Sequence, residues 1–131
     1  MSTSRDHPPP IRSPLVTVSR AASGVVVVTL RGEHDVATVD EVRERLVEVL
    51  DGSSGVAVDL RPATFVDSSV LGALMLAQRH AEQRGVRLAV AVRGGPEDAV
   101  LETICRAGLA GVFDLHTGRA AALAAAADAA A

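Results

Sequence analysis

Short runs in which apolar residues alternate with polar or small ones give way to stretches of helical spacing, and the two periods take turns along the chain. Leu15-Val16-Thr17-Val18 alternates weakly, and Val25-Val26-Val27-Val28-Thr29-Leu30 is a β-branched run between Gly24 and Gly32, so the two read as a hairpin. Thr38 with Glu41 three residues later has the capping-box spacing. Val39, Val42, Leu46, Val49 and Leu50 then share one helical face, and Gly52 is expected to supply a left-handed stop. Val56-Ala57-Val58-Asp59-Leu60 alternates and is too short for a helix, so it reads as a strand reached by a parallel crossover. After the Arg61-Pro62 break and the apolar Phe65-Val66, the run from Ser69 to Arg84 sets Val70, Leu71, Leu74, Met75 and Ala81 on one side and stops at Gly85. Val86, Leu88, Val90 and Val92 alternate with Arg87, Ala89 and Ala91 as a fourth strand. Pro96 is read as the first position of a third helix that buries Val100, Leu101 and Ile104 and ends at Gly108. Val112-Phe113-Asp114-Leu115 reads as the last strand, and Thr117 as the cap of an alanine-rich helix that frays after Leu123. The order ββαβαβαβα predicts an α/β sandwich with a mixed sheet of about five strands and four helices.

Length places all of this in one domain, since 131 residues with 48% hydrophobic content suffice for a single core. Met1 to Pro14, with Pro8-Pro9-Pro10 and Pro14 among small polar residues, is expected to be a disordered arm over residues 1–14. The domain is then expected over residues 15–125, with a frayed alanine-rich tail over 126–131. Two Phe and no Trp or Tyr leave the core to be built from Val, Leu and Ala packed closely. Cys105 is the single cysteine, which excludes an internal disulfide and a cysteine zinc cage and agrees with a reducing, cytoplasmic compartment. No apolar run approaches the roughly 18 residues of a membrane helix, so no membrane association is expected. The net charge of −3, with arginines spread along the chain, argues against direct contact with nucleic acid.

Candidate chemistry gathers at two places. Asp67-Ser68-Ser69 stands at the mouth of the second helix, where Asp and Ser are ordinary caps because their oxygens accept helix N–H bonds. Capping leaves the second hydroxyl unexplained. A phosphate on Ser69 would meet the positive end of the helix dipole and add about −1.5 to −2 of charge beside Asp67, repelling a docked partner while the domain stayed folded. Gly32-Glu33-His34-Asp35 reads as a solvated turn with a polar recognition surface rather than a catalytic or metal site, because no second ligand cluster converges on it. A hydrolase elbow needs glycines flanking its serine, whereas Ser69 lies between Ser68 and Val70. A Walker loop needs a lysine, and the chain has none. His80 and His116 read as isolated surface or capping residues. No catalytic residue, metal or cofactor is expected.

The chain resembles the anti-sigma factor antagonists, which are STAS domains. Leu30-Arg31-Gly32-Glu33-His34-Asp35 is similar to that family's strand leading into Gly-Glu-x-Asp, and Phe65-Val66-Asp67-Ser68-Ser69-Val70-Leu71-Gly72 to its Asp-Ser-Ser-Gly-Leu-Gly segment. Ala107-Gly108-Leu109 with Val112-Phe113 is similar to its C-terminal turn. The resemblance implies a non-enzymatic STAS fold that binds an anti-sigma factor kinase of the histidine-kinase-like ATPase fold and thereby regulates transcription indirectly in a stress response. It implies Ser69 as the phosphoacceptor, a serine phosphatase that reverses the modification, and a partner surface of Asp35, Asp67, Ser68, Ser69 and Val70. Val70 stands where the family has Gly, and its β-branched bulk is expected to crowd the acceptor. STAS domains also serve as sensor modules that bind a small ligand such as a nucleotide, and in that alternative Ser69 is only a helix cap.

Overall fold

In the computed structural model, which describes residues 15–127, β1 (Val16–Arg20) pairs antiparallel with β2 (Val26–Leu30), the expected hairpin. Parallel pairing then adds β4 (Gly55–Asp59), β6 (Arg87–Val92) and β7 (Asp114–Thr117), so the main sheet runs β1-β2-β4-β6-β7 and is mixed. The crossovers are α1 (Val39–Asp51), α2 (Ser68–Arg84) and α3 (Ala99–Arg106), and the chain closes with α4 (Arg119–Ala127). Alternation along the strands sorts the core into two layers. Val26, Val28, Val56, Val58, Leu88 and Val90 meet the apolar faces of α1, α2 and α3. Ala57, Ala89 and Ala91 point the other way, onto Ala122 and Ala126 of α4.

Two further strands, β3 (Gly32–His34) and β5 (Ala63–Val66), form a separate parallel pair. The solvated turn expected at Gly32 to Asp35 is therefore corrected, because its first three residues are sheet and His34 is fully buried. A buried imidazole needs partners on both nitrogens. His34 Nε2 donates to the Arg31 carbonyl at 2.9 Å, and Nδ1 pairs with Thr38 Oγ1 at 3.1 Å. That hydroxyl also donates to the Asp35 carbonyl, so Thr38 makes no side-chain cap and the expected capping box does not form.

Other boundaries move for local reasons. Gly52 ends α1 with φ −118°, not in the left-handed region, whereas Gly85 ends α2 at φ 70° as expected. Asp98 starts α3 in place of Pro96, its carboxylate accepting from the Leu101 N–H at 3.0 Å and the Gly94 N–H at 2.9 Å. Strand β7 begins at Asp114 instead of Val112, and Phe113 enters the core ahead of it. Thr117 belongs to that strand and Gly118 precedes the helix. His80, expected to stand alone, meets Asp51 at the end of α1, and Arg84 meets the same carboxylate. The final helix does not fray after Leu123: it continues to Ala127 with Ala126 1% exposed, so the first two residues of the expected tail are helical. The remainder of that tail and the expected arm lie outside the described residues. Among the described residues no helix is long and apolar enough to cross a membrane.

Candidate functional site

Parallel pairing of β3 with β5 sets His34 opposite Val66, so the residues that follow, Asp35 and Asp67, emerge side by side. The Asp67 N–H donates to the His34 carbonyl at 3.0 Å and fastens the two strand ends together. Asp35 then turns the chain, its Oδ1 accepting from the Ala37 N–H at 2.8 Å in an Asx turn. Asp67 caps α2 from an extended backbone, φ −92° and ψ −179°, and accepts from the Val70 N–H at 3.1 Å. Strand pairing thus brings together two segments that are far apart in sequence, Asp35 from one and Asp67, Ser68 and Ser69 from the other.

Ser69 lies in the first turn of α2 and its Oγ donates to Asp67 Oδ1 at 2.6 Å. The hydroxyl proton is thereby held by the cap carboxylate, leaving the oxygen lone pairs directed away from it. That bond, helped by the backbone N–H groups of Val70, Ser69 and Val36, holds the Asp67 carboxyl below the usual aspartate range against the opposing effect of partial burial. A carboxyl with a depressed value contributes stability that is present above its unfolded value and lost as pH falls through the folded one. The α2 cap should therefore hold through neutral pH and loosen in acid below 3.8, the ordinary aspartate value. Ser69→Ala removes the strongest stabiliser of the charged form and should move the Asp67 value upward. An NMR titration of the Asp67 side-chain carboxyl in both proteins checks this, and an unchanged midpoint would mean that the Ser69 hydroxyl does not hold the carboxylate in solution.

Val70 departs from expectation. Its side chain is 0% exposed and packs among Leu71, Leu74 and the sheet residues, because the third residue of α2 faces inward. It neither crowds the Ser69 hydroxyl nor offers its side chain to a partner, so its assignment to crowding and to the partner surface is corrected. Val70→Gly removes a buried side chain worth about 1.5–3 kcal/mol and adds about 0.5–1 kcal/mol of helix cost. Thermal or urea unfolding should show a loss of about 2–4 kcal/mol in all.

Two apolar residues at this site escaped the sequence pattern. Val36, in the turn after Asp35, is 74% exposed, and Phe65, just ahead of Asp67, is 48% exposed. Phe113 lies in the core, so one of the chain's two aromatic side chains is spent on the surface, on the strand that leads into Asp67. Ser68, the first residue of α2, is exposed as well. The usable signal was the scarcity of aromatics: where volume is short, a phenylalanine left outside the core marks a contact surface. Among the described residues no group of His, Cys, Asp and Glu could hold a metal ion.

A family model described as "Mlab, STAS domain" matches residues 18–117. No curated protein sequence matches the chain. Among solved structures, an anti-sigma factor antagonist from Mycobacterium paratuberculosis is similar at 24% identity and a TM-score of 0.74, covering 88% of this chain and 98% of the other. The Bacillus cell fate determinant SpoIIAA in its phosphorylated form is similar at 19% identity and a TM-score of 0.61, over 81% of this chain and 95% of that one. A sulfate transporter family protein from Wolinella succinogenes is similar at 18% identity and a TM-score of 0.68, over 86% and 91%. At these identities the likeness is one of fold.

Proposed function

Because this chain belongs to the STAS domain family, we propose that it is an anti-sigma factor antagonist, a regulator without catalysis of its own that acts by partner switching. Its partner is an anti-sigma factor kinase of the histidine-kinase-like ATPase fold, whose capture frees a sigma factor and so regulates transcription indirectly. Phosphorylation of Ser69 turns the antagonist off, and a serine phosphatase restores it. The observation that carries this reading is the joining of Asp35, Asp67, Ser68 and Ser69 on one surface with exposed Val36 and Phe65. Exposed apolar side chains together with carboxylates and hydroxyls give such a surface the composition of a docking patch. The position of Ser69 supports the switch: a phosphate there lies at the positive end of α2, which favours it by about 0.3–1 kcal/mol, yet beside the Asp67 carboxylate and in the path of a partner. Fold likeness to anti-sigma factor antagonists points the same way. The decisive experiment incubates the protein with ATP and each candidate anti-sigma kinase of the same genome. One phosphate should appear, map to Ser69 by peptide mass spectrometry, and be lost in Ser69→Ala. Phosphate on Ser68 or Thr64 would overturn the assignment of the acceptor.

A further inference from the structure

At the carboxyl ends of three adjacent parallel strands, arginines recur at nearly equivalent places. Arg31 directly follows β2, Arg93 directly follows β6, and Arg61 lies two residues beyond the end of β4. Arg119, the first residue of α4, joins them from the helix that covers the other face of the sheet. With Thr29 and Asp59 these four line one cavity of about 390 Å³. Asp59 is nearly buried, and its carboxylate is taken by Arg61 through two contacts of 2.9 Å, from Nε and Nη2. Burial pushes that carboxyl up, but the Arg61 guanidinium and backbone N–H, together with the charge of Arg119, more than offset it and keep Asp59 ionised. Arg43, Arg45, Arg84 and Arg106 each pair with a carboxylate, whereas Arg31, Arg93 and Arg119 have none among the described residues.

The cavity therefore concentrates an excess of three positive charges in a chain whose net charge is −3. Like charges lining one concave wall repel each other, and nothing in the fold described above uses the guanidinium of Arg31 or Arg93. Guanidinium groups present planar, paired N–H donors that match the oxygens of phosphate, and a concave wall focuses their field. The amino end of α4 adds the positive end of its dipole through Arg119. Carboxyl ends of parallel strands are also where open α/β sheets receive ligands. We propose that this cavity binds a small phosphorylated ligand through its phosphate oxygens, with Arg31, Arg93 and Arg119 as the donors and the Thr29 hydroxyl as a further partner. Its volume falls within the roughly 300–1,000 Å³ of small-molecule sites, which leaves room beyond the phosphate group itself. The cavity shares no residue with the surface around Ser69, so this proposal and the antagonist reading stand or fall separately.

The test titrates the full chain with inorganic phosphate and, in a second arm, with ADP, following amide shifts by NMR at constant ionic strength set with chloride. Shifts should centre on Thr29, Arg31, Arg61, Arg93 and Arg119, and the double variant R31Q/R93Q should weaken binding about tenfold or more with its melting temperature unchanged. Should that variant melt early, Arg119→Gln supplies the same comparison. ADP binding at least about tenfold tighter than phosphate identifies a nucleoside phosphate as the ligand class, and equal affinity identifies the phosphate group alone. No localised shift with either probe at millimolar concentration, or affinity undiminished in the variants, overturns the proposal.

Discussion

Gly55→Ala is expected to destabilise the domain by about 3 kcal/mol, at the upper end of the range for overpacking. A Cβ built on Gly55 would collide with the Ala126 carbonyl oxygen, a backbone atom of α4 that cannot rotate away as a side-chain tip could. The helix would have to retreat, and its contacts depend on close approach, since Ala57, Ala89 and Ala91 meet Ala122 and Ala126 with nothing longer to bridge a gap. With about 4 °C lost per kcal/mol for a domain of this size, the melting temperature should fall by about 10 °C or more. Hydrogen exchange should rise first in α4, ahead of α1 and α2. Gly52→Ala is the matched control: its Cβ meets nothing within 4 Å and its φ is negative, so it should be neutral or gain about 0.4–1 kcal/mol. Equal stability of the two variants would show that α4 does not sit where the close approach to Gly55 requires.

Ser69→Glu is expected to cost partner binding more than about a hundredfold. Under the antagonist function proposed above, a carboxylate set beside Asp67 would face a partner that docks on the uncharged hydroxyl, and like-charge or desolvation penalties at interfaces reach several kcal/mol, where about 2.8 kcal/mol is already two decades in affinity. The same substitution should leave the melting temperature close to wild type. An anion in the first turn of a helix gains about 0.3–1 kcal/mol, small against a domain stability of about 5–15 kcal/mol. Ser69→Ala should bind the partner and escape the switch. Affinity by calorimetry against the kinase, measured beside thermal melting, separates the outcomes: weak binding with intact melting places the switch at the interface, and a collapse in melting would mean that it acts by unfolding.

Much of this was legible in the residue pattern. The β-branched run Val26–Leu30 and the alternating Arg87–Val92 are too short for helices and read as strands, and the stripe Val42, Leu46, Leu50 has no other use than a helix face. Asp67 declared a helix start through its residue type, and Gly85 a helix end through the positive φ that only glycine adopts cheaply. These are local matters. Period, cap and backbone freedom act within a few residues, so a sequence states them without reference to the rest of the chain.

Tertiary structure decided what depended on a distant partner. Gly32–His34 and Ala63–Val66 are three and four residues long, too short to announce a period, and become strands only because each completes the other's hydrogen bonds. Their pairing in turn buried His34 and exposed Phe65. Val70 could face the acceptor or the core until packing of α2 against the sheet turned it inward. In α4 every position but Arg119 and Leu123 is alanine, so no apolar face stands out, and which alanines are buried was set by the small residues of β4 and β6 across from them. The arginines of the strand-end cavity lie tens of residues apart and read singly as solvated charges. Parallel crossovers return the chain to the same edge of the sheet at each strand end, and that repetition, which no local window contains, is what gathers them.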